Sequence, residues 1–257
     1  MNAAEQYIAF VTILVKEIRR YTRIWTQTLL PSAITMSLYF VIFGTLIGSR
    51  IGEMGGFTYM EFVVPGLIMM AIVTNSYSNV VSSFYGSKFS HAVEELLVSP
   101  TPNYVILMGY VLGGVSRGLL VAVVVTLVSM FFTDLTIHSY FVVVASVLLT
   151  STLFALAGFI NAVYANSFDD ISIVPTFVLT PLIYLGGVFY SMDLLPEFWA
   201  NVSKLNPLVY VVNTFRYGVL GVSDINLTFA FGMIILFTVI AFAFSMHLLN
   251  SGKRLRQ

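Results

Sequence analysis

The chain has 257 residues, of which 58% are hydrophobic and 9% charged, with a formal net charge of zero and a mean hydropathy of +0.91. Soluble domains carry about 25% charged residues, so this composition excludes one and points to an integral membrane protein. The balanced charge argues against a nucleic-acid partner, and the absence of cysteine excludes disulfides and thiolate metal sites without naming a compartment.

The predicted elements begin with an amphipathic helix within residues 1–28. Tyr7, Val11, Leu14, Ile18, Tyr21 and Trp25 recur at helical spacing, with Lys16, Arg19, Arg20 and Arg23 on the opposite face, so the helix is expected to lie along anionic headgroups. The first 28 residues lack a short basic region followed by an apolar core and a small-residue cleavage site, so no cleaved signal peptide is expected and the first span is expected to be permanent. Six apolar blocks then qualify as spanning helices: Leu29–Gly48, Phe62–Ser83, Tyr104–Phe132, Tyr140–Val163, Ile171–Tyr190 and Leu227–Leu249. Their length, near 20 residues, suits helices; barrel strands would alternate over about ten. The 257 residues therefore read as one all-α membrane domain.

An even number of spans puts both termini on one side. That side holds Lys16, Arg19, Arg20, Arg23, Lys88, Lys253, Arg254 and Arg256, whereas the other holds Arg50, Lys204 and Arg216. This bias predicts cytoplasmic termini.

Within the second block, Asn75, Ser78, Asn79 and Ser82 fall at steps of three and four, a polar stripe that either lines a path or holds helices together. In the third, Gly109-x-x-x-Gly113 and Gly114-x-x-x-Gly118 permit close helix approach and suggest a dimer face. Arg117 in the same block must find a partner, water or the interface. The loop at residues 86–102 alternates Phe89, Val93, Leu96 and Leu97 with Lys88, His91, Glu94 and Glu95 until Pro100 and Pro102 intervene. It is expected to form a short amphipathic helix with a charged docking face. Asp169 and Asp170 precede the fifth block, where carboxylates suit the positive end of a helix.

Residues 191–226 break the pattern. Pro196 and Asn206-Pro207 bound one predicted short helix, and a second runs from Pro207 to Gly221, too short for an ordinary span and carrying Asn213 and Arg216. A re-entrant hairpin opening to the outer face is the simplest reading, with terminal backbone groups that need protein or water as partners. The chain contains no Gly-x-x-x-x-Gly-Lys-Ser/Thr and no catalytic constellation, and its three histidines lie in different segments. The residues alone leave open a transport subunit, a membrane scaffold and a secondary carrier, the last disfavoured by the lack of acids within the spans.

The combination of basic N-terminal helix, six spans, Glu94-Glu95-Leu96-Leu97 through Pro100, Phe168-Asp169-Asp170-Ile171 with Pro175, Leu185-Gly186-Gly187-Val188-Phe189-Tyr190, Leu195-Pro196 and Asn206-Pro207 through Arg216 resembles the ABC-2 type permease subunits of ABC transporters. Within them it is most similar to small bacterial inner-membrane permeases grouped with nodulation lipooligosaccharide and drug exporter permeases. The resemblance covers nearly the whole chain. It implies a homodimeric export permease in the lipid of the bacterial inner membrane, energised by two copies of a separate cytoplasmic ATPase that binds ATP and Mg²⁺; no cofactor is expected in this chain. It further implies that Lys88, His91, Glu94, Glu95 and Leu96 belong to a coupling helix seated on the ATPase, and that the hairpin with Asn206, Pro207, Asn213 and Arg216 closes the outer exit.

Overall fold

A computed structural model describes residues 1–252, and these are predominantly helical. Lys253, Arg254 and Arg256, which enter the charge bias above, lie outside the described residues. The elements are α1 (Ala3–Arg23), α2 (Trp25–Ile51), a two-stranded ribbon of β1 (Glu53–Met54) and β2 (Phe57–Thr58), α3 (Tyr59–Phe89), α4 (Ala92–Val98), α5 (Asn103–Ser129), α6 (Tyr140–Tyr164), α7 (Asp170–Tyr184), α8 (Glu197–Ser203), α9 (Pro207–Leu220) and α10 (Leu227–Ser251). Five helices, α2, α3, α5, α6 and α10, are long and apolar enough to cross a membrane.

The predicted fifth block, Ile171–Tyr190, is shorter than expected. It forms α7, which widens into a π-helical turn over Pro175–Leu179 and ends at Tyr184. At 1.5 Å per residue α7 is ~22 Å long, short of a ~30 Å hydrocarbon core. Gly187 at φ +75° then turns the chain, a conformation that side chains with a Cβ rarely adopt.

Local capping explains where the helices begin. The Asn2 side chain accepts from the Glu5 backbone N–H at 2.9 Å while the Asn2 N–H donates to Glu5 Oε2, also at 2.9 Å, a reciprocal capping box. Thr58 and Glu61 repeat the arrangement at the start of α3. Pro207 occupies the first turn of α9 behind an Asn206 cap, and Gly221 closes that helix at φ +78°.

Helix α3 is the axis of the fold, buried over most of its length and packed along α5 and α6, with α9 across it. By contrast the most apolar 18-residue stretches of α2 and α10 are only 12% and 11% buried, so these two form the rim.

The position of α1 differs from expectation. It runs beside α5 in the same direction: Tyr104 Oη donates to Gln6 Oε1 at 2.5 Å, Ile13 meets Gly109, Glu17 meets Gly113, and Tyr21 Oη bonds Ser116 Oγ at 3.1 Å. A Cβ at Gly113 would lie 2.6 Å from Glu17 Cβ, and one at Gly109 2.5 Å from Ile13 Cγ2. The first glycine pair is thus the seat of α1, and Gly114 packs on Val80 and Ala155 of this same chain; neither forms a dimer face. The buried seam of α1 is Ile13, Glu17 and Tyr21, whereas Tyr7 and Trp25, expected on the apolar face, are exposed.

Candidate functional site

Two ends of the bundle carry the predicted functional residues, and α3 connects them. At one end α3 continues to Phe89, and a sharp turn through His91, which has φ +60°, starts α4. This is a backbone region that a non-glycine residue adopts at a cost of order 1 kcal/mol. His91 Nδ1 lies 3.2 Å from Glu94 Oε1, both side chains partly exposed. Glu95 and Val98 project outward, Val98 with 85% of its surface free, while Val93 is buried and Leu96 and Leu97 pack against the core. Phe89 and Phe168, both exposed, lie 5.1 Å apart between ring centres, with Tyr85 beneath Phe168 at 5.0 Å. The outward face at this end is therefore mixed: two carboxylates, an imidazole and three apolar side chains.

Lys88 does not belong to it. The side chain is buried, and its Nζ donates to the carbonyls of Val163 at 2.9 Å and Ala165 at 2.8 Å. These lie at the C-terminal end of α6, where unpaired carbonyls and the helix dipole favour a cation. The expectation that Lys88 lies on the charged face fails because α3 extends to Phe89, so the face that Lys88 occupies is set by α3 rather than by α4. Next to it, Asp170 accepts from the backbone N–H groups of Asn166 at 2.9 Å and Ser167 at 3.2 Å. The Asn166 N–H, then the Ser167 side chain, holds its carboxyl below the usual carboxylate range. Both donors precede α7, and Asp169 at its N-cap position makes no side-chain cap bond, so the capping expected of these acids is not formed; Asp170 instead closes the turn that leads into the helix.

At the other end Arg216 on α9 is fully buried. Its Nη2 donates to the Gly187 carbonyl at 2.6 Å and the guanidinium carbon lies 3.9 Å from the centre of the Phe62 ring on α3, a distance suited to cation–π attraction. Nε and Nη1 have no protein partner. Asn213, one turn earlier, accepts from the Asp224 backbone N–H at 3.0 Å, and Asp224 in turn accepts from the Met192 N–H at 2.7 Å. Asn206 donates to the Leu182 carbonyl at 2.7 Å. These residues stitch α9 to the segment after α7, and Tyr59 Oη adds a bond to the Phe189 carbonyl at 3.2 Å. Tyr210 and Phe215 are buried, as packing residues would be.

The polar stripe of α3 divides into two faces. Asn75 and Asn79 point inward and serve arginines: Arg117 Nη2 donates to Asn75 Oδ1 at 2.9 Å, and Arg20 Nη2 donates to Asn79 Oδ1 at 2.8 Å and to its carbonyl at 2.9 Å. Both amides thus hold α3 to neighbouring helices, one of the two roles open to the stripe. Ser78 is half-buried and Ser82 exposed, with Ser82 Oγ turned back to the Ser78 carbonyl at 2.7 Å. Sequence reasoning missed Glu17. It is wholly buried, accepts from Ser83 Oγ at 2.6 Å and sits 3.4 Å from Arg20 Nε. Its place one step off the predicted apolar face of α1 was the available signal.

Residues 8–220 match the family described as ABC-2 type transporter. The chain is 56% identical over 250 residues to the inner membrane transport permease YadH of Escherichia coli (strain K12), covering 97% of this chain and 98% of that protein, and shows the same likeness to YadH of Shigella flexneri. Nodulation protein J of Neorhizobium galegae is 22% identical over 249 residues, 96% of this chain and 94% of that protein. The chain belongs to the ABC-2 type transporter family and is a transport permease, the membrane subunit of a transporter.

Proposed function

We propose that this permease is the export half of an ATP-driven transporter of the bacterial inner membrane. It pairs with a second copy and with two copies of a cytoplasmic ATPase that holds ATP and Mg²⁺. Its substrate is lipidic, a glycolipid or polysaccharide, or an amphiphilic drug-like molecule, taken from the cytoplasm or the inner leaflet. The eight-to-three bias of basic residues supports cytoplasmic termini and a cytoplasmic α4. In this reading α7 and the α8–α9 hairpin complete a sixth, broken crossing and close the outer exit.

The observation that carries the proposal is the outward face around α4. Glu95, Val98, Phe89 and Phe168 project from an end where the neighbouring Lys88 ties α3 to α6. Apolar side chains among carboxylates suit a protein interface core with a charged rim. Replacing Glu94 and Glu95 together by lysine places like charge against a partner that accepts acids, a cost of several kcal/mol. The double variant is expected to insert normally and to lose co-purification with the ATPase; wild-type yield and turnover of the complex would refute the assignment.

A further inference from the structure

Helix α3 is the most enclosed of the long helices, yet one strip of it is bare. Thr74 and Ser82 are exposed and Ser78 is half-buried, four residues apart along one face. Thr74 and Ser82 donate their hydroxyl protons back to the Met70 and Ser78 carbonyls, at 2.8 and 2.7 Å, so their oxygens remain on the open strip as acceptors. Its border is cationic. Ser82 Oγ and Arg20 Nη2 converge on the same Asn79 carbonyl, at 3.2 and 2.9 Å, which sets the Arg20 guanidinium beside the strip. The Arg20 side chain keeps 29% of its surface free. One turn away Arg117, also incompletely buried, bonds Asn75.

The charges here do not cancel. Among the described residues the one carboxylate in contact with this pair is Glu17, on Arg20, and Arg117 has only the neutral acceptors Asn75 and Thr28. Two guanidiniums and one carboxylate leave one positive charge in excess. Donors are in excess too: the side-chain amide nitrogen of Asn79, a fully buried residue, and Arg117 Nε have no protein partner. Surplus cation and surplus donors together define the complement of an oxyanion.

We propose that Arg20 and Arg117, with the Thr74–Ser78–Ser82 strip beside them, form a binding site for the phosphate headgroup of an anionic amphiphile. The site takes this ligand either as a resident phospholipid or as cargo, and the second case rests on the exporter reading above. Guanidinium groups recognise phosphate through planar paired N–H bonds, and the hydroxyl oxygens of the strip supply acceptors for hydroxyls elsewhere on the headgroup. Lys16, Arg19 and Arg23 on α1, exposed nearby, add long-range attraction for the same charge.

The full chain in detergent, titrated with phosphatidylglycerol or with phosphatidylcholine of the same acyl chains and read by native mass spectrometry, tests the site. Phosphatidylglycerol is expected to bind at least about fivefold more tightly, the order of one added guanidinium contact near a membrane surface. Arg20→Gln with Arg117→Gln is expected to bring the ratio within about twofold, while Arg20→Lys retains part of it. Should the double variant fail to fold, Arg20→Gln alone, at a partly exposed position, is expected to lower the preference. No preference in the native chain, or one that survives loss of the guanidiniums in folded protein, would overturn the site. ATPase co-purification on the same preparations keeps the exporter reading separate. In proteoliposomes, ATP-dependent movement of labelled phosphatidylglycerol marks cargo, and binding without movement marks a resident lipid.

Discussion

Lys88→Met separates a structural lysine from a docking one. The native ammonium donates to two carbonyls at the end of α6. Hydrogen bonds from a charged donor contribute about 1.5–3 kcal/mol each. Methionine fills the volume and removes the cost of burying a charge, which offsets part of that loss. It leaves the Val163 and Ala165 carbonyls without this donor, so a net destabilisation of about 2–3 kcal/mol is expected. For a chain of this size that lowers the thermal midpoint by roughly 4–12 °C. The assay is intrinsic-fluorescence unfolding of the detergent-solubilised permease, with ATPase co-purification measured at a temperature where the variant is folded. The expected result is a lowered midpoint and near-normal association. A midpoint shifted by less than about 2 °C together with lost ATPase association would return Lys88 to the docking face and refute the argument from the α6 carbonyls.

Gly113→Leu drives a side chain into Glu17, whose Cβ and Cγ lie 2.6 and 2.9 Å from where the first added carbon would stand; overpacking of this kind costs about 1–3 kcal/mol, and α1 is expected to become sensitive to limited proteolysis while α3 to α6 remain folded. Unchanged protection of α1 would show that it is held elsewhere. Arg216→Ala removes the bond to Gly187 and the contact with Phe62, and is expected to cut reconstituted transport about tenfold, equivalent to ~1.4 kcal/mol in gating, while ATP turnover persists. Equal losses in both would take the hairpin out of the gate. Because the chain has no cysteine, a single cysteine placed at position 201 is expected to react with an impermeant thiol reagent from outside and one at 252 is not; the reverse pattern would invert the topology.

The long helices were legible because each is a run of apolar residues with local caps. Asn206-Pro207 and Gly221 mark the ends of α9 in sequence as clearly as in space. What was not legible depends on partners distant in the chain. Glu17 reads as one acid in a basic helix, and its burial follows from Ser83, 66 positions away. Lys88 reads as part of a wet face because helical period was counted from α4; the count that matters runs along α3. Asn75 and Asn79 share a stripe with Ser78 and Ser82, and period alone cannot say that the amides turn toward Arg117 and Arg20 while the hydroxyls do not. The fifth block looked long enough to span because hydropathy does not register the break at Gly187.

The two candidate ends are mechanically joined through one element. At the α4 end, the His91 turn links α3 directly to the outward face, Pro100 and Pro102 lead from that face into α5, and Lys88 clamps α3 to α6. A displacement of α4 therefore bears on three long helices at once. At the far end the same α3 carries Tyr59, bonded to Phe189, Phe62, stacked under Arg216, and Gly66, where an added Cβ would stand 2.6 Å from the Val188 carbonyl. Pro65 lies between these contacts and lacks the N–H that would bond the carbonyl of Glu61. The α-helical ladder is thus weakest within a turn of the hairpin, so any bend that α3 undergoes in a transport cycle is concentrated where Phe62 meets Arg216. Tight packing at Gly66 converts that bend into movement of the Gly187–Tyr190 segment rather than absorbing it in empty space.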